Sequence, residues 1–274
     1  MISLNRIARV FPRRTAATPT DALAFMGEPG LFPPDVDAVH VSVCWTWDIP
    51  EAERLAKEWA HIAPVEIGGP ATGQRGEDFE PGRYVKNGYV ITSRGCPNKC
   101  WFCSVWRREG ETIRELPIHD GWNVLDDNLL ACSDEHIREV FAMLSRQDRA
   151  AEFTGGLEAA RLKPWHVSAF REIHPKQLFF AYDGPEDRDP LHAAGEMLLA
   201  GGFTRTSHSL RAYVLIGYPK DTFEAAEARL RECMAAGFLP MAMLYRDNKG
   251  DRDSVWMRFQ RTWARPAIRA KDYA

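Results

Sequence analysis

Nowhere in the chain do about 18 apolar residues follow one another, so no segment is built to span a bilayer as a helix. The N-terminus, MISLNRIARVFPRRT, is basic but has no apolar stretch of signal-peptide length, and the expected location is the cytoplasm. Charge of one sign is not in excess either. Lys and Arg number 35 against 38 Asp and Glu, a formal net charge of -3, which excludes a globally basic nucleic-acid coat. Low-complexity tracts are missing, and so is any repeat beyond strand–helix alternation. Cysteine is scarce, with six residues in 274, and in a reducing compartment six thiols are not a disulfide framework. Three of the six nevertheless fall within eight residues, and that concentration needs a chemical reason.

What is present is a chain with 45% hydrophobic residues, enough to bury a core. The first twenty residues carry Arg6, Arg9, Arg13 and Arg14 without an acid and read as an arm or irregular edge. A β-branched run over 37–45 predicts a strand. Helical spacing over 50–60 follows, with Asp48 as N-cap and Pro50 in the first turn. A second strand over 63–71 completes a βαβ unit. Residues 72–83 are Gly-rich and polar, a linker or flap.

From Tyr89 onward the pattern alternates regularly. Strands are predicted over 89–93, 122–125, 151–154, 177–182, 211–216 and 238–244. Helices lie between them, one capped by Ser133 and running to about Arg146, another over 221–236 stopped by Gly237. Gly155-Gly156 is expected to end the third strand before a helical stretch. Six βα units predict parallel strands and an α/β fold, a partial (β/α)6 barrel of the TIM type, with chemistry at the C-terminal strand ends. The expected division is a 1–84 arm and truncated Rossmann-like βαβ unit, an 85–245 barrel and a 246–274 extension.

Cys96, Cys100 and Cys103 stand in RGCPNKCWFCSVW, a C-x3-C-x2-C spacing. Thiolates are soft ligands for zinc or iron–sulfur clusters. A structural zinc site takes four closed ligands, and no second C-x2-C or His pair is nearby; His119 and Cys132 are the nearest extra donors. Three cysteines on one loop instead suit a cubane with one open iron. A zinc knuckle is the competing reading.

With Phe102 as the φ of C-x3-C-x-φ-C just after the first barrel strand, the sequence resembles the radical S-adenosylmethionine (SAM) superfamily. The resemblance implies a [4Fe-4S] cluster whose open iron chelates SAM, and reductive cleavage of SAM to a 5′-deoxyadenosyl radical that abstracts hydrogen from substrate. It implies an electron donor of flavodoxin or ferredoxin type. Asp126-Asp127-Asn128 stands where many members carry a Gly-Gly-Glu-like segment that holds the SAM amino group; a turn and capping cluster is the alternative. Glu158 and Arg161 are similar to family residues at the SAM ribose and carboxylate, although they also suit an i, i+3 surface pair. Ile216 and Gly217 resemble part of the segment that approaches adenine. Tyr182 and Asp183 at the end of the fourth strand, and Cys132, are further candidates for the reaction site.

The segment before the barrel looks like a shortened cobalamin-binding domain, but its Asp-x-His-x-x-Gly motif is absent, His40 and His61 stand alone, and no cobalamin is expected. Residues 255–271 interleave Trp256, Phe259 and Trp263 with Arg258, Arg261 and Arg265 and contain no acid. Basic and aromatic residues together grip nucleic acid, so a nucleic-acid substrate is one expectation and a closing helix packed on the barrel the other. Two further classes stay open: a radical SAM enzyme for a small metabolite or peptide, and a metal-stabilised binding module without turnover.

Overall fold

The computed structural model describes residues 6–264. Its N-terminal part is a parallel sheet of β1 (Ile7–Phe11), β2 (Ala24–Met26), β3 (Ala38–Ser42) and β4 (Val65–Gly68), in the order β2-β1-β3-β4. Helix α1 (Ile49–Trp59) crosses over between β3 and β4. The βαβ unit is therefore present, but the segment read as an arm is an inner strand of the four-stranded sheet, between β2 and β3. Ala8 and Val10 are fully buried, and apolar burial outweighs the arginines because Arg9 and Arg13 find partners. Arg9 donates to the carbonyls of Gly82 and Arg83 at 2.7 and 2.9 Å and pairs with Asp21. Arg13 forks onto Asp48 with bonds of 2.8 and 2.7 Å. That pairing explains a second difference: Asp48 precedes α1 but makes no side-chain cap, because its carboxylate is held by Arg13.

The second sheet has six strands in the order β12-β11-β10-β9-β8-β5, every pairing parallel. In chain order the elements are β5 (Tyr89–Val90), β6 (Ser93–Arg94), α2 (Val105–Arg108), β7 (Arg114–Glu115), β8 (Asn123–Val124), α3 (Asp134–Ser145), β9 (Glu152–Leu157) and α4 (Pro164–Ile173). Then come β10 (Gln177–Tyr182), α5 (Arg188–Ala200), β11 (Leu210–Ile216), α6 (Phe223–Ala235), β12 (Leu239–Leu244) and α7 (Ser254–Trp263). Strands β6 and β7 form a separate antiparallel pair. This is the expected open partial barrel of six βα units.

Local chemistry sets the boundaries. The Ser133 hydroxyl accepts from His136 N at 3.2 Å to start α3, and Thr222 does the same for Ala225 N at 3.2 Å in α6. Behind the sheet Phe141, Phe153 and Phe170 pack edge to face, 5.0–6.0 Å between centroids. One expectation fails at β9, which runs through Gly155-Gly156 to Leu157 instead of stopping at Thr154. A Cβ on Gly155 would lie 2.3 Å from the Asp126 carbonyl oxygen. The glycine lets β9 continue flush against the residues that follow β8.

Helix α7 closes the barrel. Trp256 and Phe259 lie 4.3 and 5.4 Å from Phe223 of α6, Trp263 is buried, and Gln260 Nε2 donates to the Ala242 carbonyl of β12 at 2.8 Å. Its aromatic stripe is thus a packing stripe, while Arg258 and Arg261 face solvent. Arg265 lies outside the described residues. No helix among the described residues is long and apolar enough to cross a membrane.

Candidate active site

The cysteine loop hangs from the C-terminal end of β5 by two successive carboxylates that follow β8. Asp126 is buried and accepts from Thr92 N (2.6 Å), Thr92 Oγ1 (2.6 Å) and Ser93 Oγ (2.7 Å). Burial pushes its pKa up, and these three donors oppose that. Asp127 accepts from Gly95 N at 2.9 Å. Gly95 takes φ +92 and a Cβ there would meet the Thr112 carbonyl at 2.5 Å, so only glycine fits the turn into Cys96. Asp126 therefore positions the loop with both carboxylate oxygens engaged, and Asp127 ties down Gly95 through one of its two oxygens.

Within the loop, Cys103 N donates to the Cys100 carbonyl (3.1 Å), which also accepts from Trp106 Nε1 (3.1 Å). Arg107 donates to the carbonyls of Cys103 and Trp101, each at 3.2 Å. Val105 N points at Cys103 Sγ (3.4 Å). The three thiols are half-buried. Burial first, then Cys103, Asp183 and Cys96, pushes the Cys100 thiol up to about 11. Cys103 is raised too, by burial and then by Cys96, Asp127 and Asp183. So many acids around three thiols make a site that a cationic group relieves, and the donor set fits a metal cluster.

Among the described residues, Asp126, Cys132 and His136 bring their ligand atoms within 4.8 Å of one another. Thiolates of the loop suit zinc or an iron–sulfur cluster, and three ligands on one loop leave one corner of a cubane open.

Asn128 sits between the loop and the third strand. Its Nδ2 donates to Glu158 Oε2 (2.6 Å) and approaches Cys96 Sγ (3.5 Å), while its Oδ1 is buried without a partner. An orphaned acceptor beside the cysteines fits an absent donor such as an amino group. Glu158 also accepts from Arg161 Nε at 2.7 Å, so the i, i+3 pair exists and lies against Asn128. Phe102 packs edge-on to Trp101, 5.5 Å between centroids.

The remaining candidates separate. Asp183 influences both Cys100 and Cys103, and burial followed by Asp187 pushes its pKa up to about 7. The buried Tyr182 hydroxyl instead donates to Glu232 of α6, toward the helix layer, as strand alternation dictates. Cys132 is buried beside Ser93 and Asp126, and burial pushes it up to about 12. Ile216 is fully buried. Gly217 takes φ +70 and donates to Asp221 at 2.8 Å; a Cβ would strike Leu244 of β12 and Trp256 of α7 at 2.6 and 3.0 Å. Both serve the packing of β11, β12 and α7.

Two arrangements escape a sequence reading. The first is fully buried Glu109, which accepts from Arg108 Nε (2.9 Å) and Gly76 N (3.1 Å) and lies 3.7 and 3.6 Å from Arg94 and Arg114. The second is a cavity of about 300 Å³ between β3, β4, the 74–85 segment and the side of β6 and α2 that carries Arg94 and Arg108. There His40 Nδ1 meets Tyr84 Oη at 2.6 Å and Nε2 lies 3.9 Å from Glu66. The RRE run at 107–109 was the one visible hint of the former; nothing local announced the latter.

Cysteines at the tip of the first strand of an open six-unit parallel barrel define the fold of radical SAM enzymes. No protein-family model matches the chain, and no curated protein does. Among solved structures it is similar to the radical SAM methyltransferase TsrM from Kitasatospora setae, determined with cobalamin and a [4Fe-4S] cluster bound. The TM-score is 0.65 at 12% identity, over 88% of this chain and 75% of that one.

Proposed function

We propose that the protein is a radical SAM enzyme that holds a [4Fe-4S] cluster through Cys96, Cys100 and Cys103 and acts on a nucleic-acid base. The carrying observation is the loop itself: three half-buried thiols at a barrel strand end, beside the orphaned Asn128 oxygen. When bound, the cluster supplies an electron that splits SAM into methionine and a 5′-deoxyadenosyl radical, which takes a hydrogen from substrate. Asn128 Oδ1 accepts from the SAM amino group, Glu158 and Arg161 orient the ribose and carboxylate, and Phe102 lies against the nucleoside. Asp126, Asp127, Arg107 and Trp106 keep the loop in register. The electron comes from a flavodoxin- or ferredoxin-type donor, in the cytoplasm.

The lobe at 1–84, the barrel at 85–245 and the extension at 246–274 are part of this proposal, supported by two separate apolar cores. So is function without cobalamin, supported by the missing Asp-x-His-x-x-Gly motif and by a cavity at the small end of ligand sites. That cavity favours a second reading, a small-molecule substrate.

Anaerobically reconstituted protein given SAM and dithionite forms 5′-deoxyadenosine, and Cys100→Ala loses both the cubane absorbance and the product while keeping its helical circular dichroism. Stoichiometric zinc without cubane absorbance refutes the assignment.

A further inference from the structure

The barrel rim beside the cysteine loop carries a run of aromatic and guanidinium groups drawn from five separate segments. Trp101, between Cys100 and Cys103, is 52% exposed, and its ring lies 5.8 Å from Tyr218 and 5.4 Å from Tyr245. The next residue, Arg246, sets its guanidinium 5.1 Å from the Trp47 ring. Trp47 stacks on Trp45 at 6.1 Å and 14°, and Arg13 lies 5.7 Å from Trp45. Backbone ties fix the run. Tyr245 N donates to the Ile216 carbonyl (2.8 Å), Thr46 Oγ1 donates to the Asn248 carbonyl (2.9 Å), and Gly250 packs on Trp47.

Ordinary core packing does not account for this run. None of the five aromatic residues belongs to either apolar core. The guanidinium groups are also crowded. Arg13 and Arg252 crowd Arg246 enough that, after burial, their repulsion lowers its pKa, and the nearby carboxylate of Asp48 is already forked onto Arg13. Two of the three acids of the same loop are engaged locally: Asp247 accepts from the amides of Lys249 and Asp251, and Asp253 caps α7, while Asp251 is exposed. Aromatic faces beside closely spaced guanidinium groups are the composition of a single-strand binding surface.

We propose that this rim is a track for single-stranded nucleic acid. Bases stack on Trp101 and the edges of Tyr218 and Tyr245, and the phosphates run over Arg246 and Arg252 toward Trp47. The track rests on the radical SAM reading only for which end carries the chemistry: the base at Trp101 is the one beside the cysteine loop. It also moves the nucleic-acid surface from α7 to the rim, since the aromatics of α7 are turned into the barrel.

The test is quenching of tryptophan fluorescence by an oligothymidylate, measured across a salt series. The double variant Arg246→Gln/Arg252→Gln lowers the slope of log K against log salt by about 1.4, at roughly 0.7 per phosphate. Trp101→Ala weakens binding by roughly 5- to 150-fold, the loss of one stacked base. Arg258→Gln/Arg261→Gln changes neither. On the unsubstituted protein, photo-crosslinking of a bromodeoxyuridine oligomer maps to Trp101, Tyr218 or Tyr245. Binding that follows Arg258 and Arg261, adducts on α7, binding to duplex alone, or no quenching at low salt by protein that still makes 5′-deoxyadenosine overturns the track. Oligomer binding at the rim without 5′-deoxyadenosine supports the track and removes the radical chemistry instead.

Discussion

Gly155 offers a clean perturbation because steric and conformational costs separate between it and its neighbour. Its φ is not in the left-handed region, and an alanine Cβ there would lie 2.3 Å from Asp126 O, 2.6 Å from Leu125 C and 2.7 Å from Asp126 N. These are backbone atoms, so no side chain can swing aside, and β9 must part from the 125–126 segment by about 1 Å to restore ordinary contact. Overpacking of this kind costs about 3 kcal/mol, and at roughly 2–4 °C per kcal/mol the melting temperature falls by roughly 6–12 °C. The displaced residue is the one whose carboxylate holds Thr92 and Ser93, so the strain reaches the cysteine loop. Gly156 is the reverse case: φ +105, with nothing within 4 Å of a Cβ. Gly156→Ala costs about 1–2 kcal/mol of backbone strain and leaves Asp126 in place. The assay is thermal unfolding together with the alkylation rate of Cys96, Cys100 and Cys103. Gly155→Ala should melt lower and expose the thiols; Gly156→Ala should melt a little lower with thiol reactivity unchanged. A Gly155→Ala protein with wild-type melting and wild-type thiol protection refutes the proposed link from β9 to the loop.

Two further outcomes follow from buried charge. Glu109→Gln leaves Arg94, Arg108 and Arg114 around a neutral group, and breaking such a buried pairing costs about 3–5 kcal/mol, read as a lower urea midpoint; an unchanged midpoint contradicts it. The fully buried His166 accepts from Lys163 N at 3.0 Å, and burial, then Lys163, holds its pKa down to about 4. The unfolded chain therefore takes up a proton below pH 6.5 that the folded chain refuses, so stability falls as pH drops from about 6.5 to 4, by on the order of 3 kcal/mol. Gln at this position keeps an acceptor for Lys163 N, and His166→Gln should flatten that acid limb in urea melts at pH 7 and pH 4.5.

The readable parts were those set by local periodicity and short-range chemistry. Strand–helix alternation from Tyr89 to Leu244, the Ser133 cap and the C-x3-C-x2-C loop are all written within windows of a few residues, because side-chain period and capping act locally. The arm failed because a short apolar strand, Ile7–Phe11, is masked by arginines whose partners Asp21 and Asp48 lie 12 and 35 residues away. The Trp256, Phe259 and Trp263 stripe was ambiguous for a related reason: the same spacing serves a solvent-facing grip and a buried seam, and only the placement of Phe223 decides.

The sequence by itself therefore determined the barrel class and the thiol loop, since both follow from patterns that do not depend on distant residues. Only the tertiary structure assigned Asp126 and Asp127 to positioning the loop, turned Tyr182 toward α6, closed Glu109 inside three guanidinium groups and joined Trp101 to Arg246 and Trp47. Each of these depends on which remote donor or ring fills the space beside a side chain. Such pairing is set when strands far apart in the chain come into register, and no window along the chain encodes it.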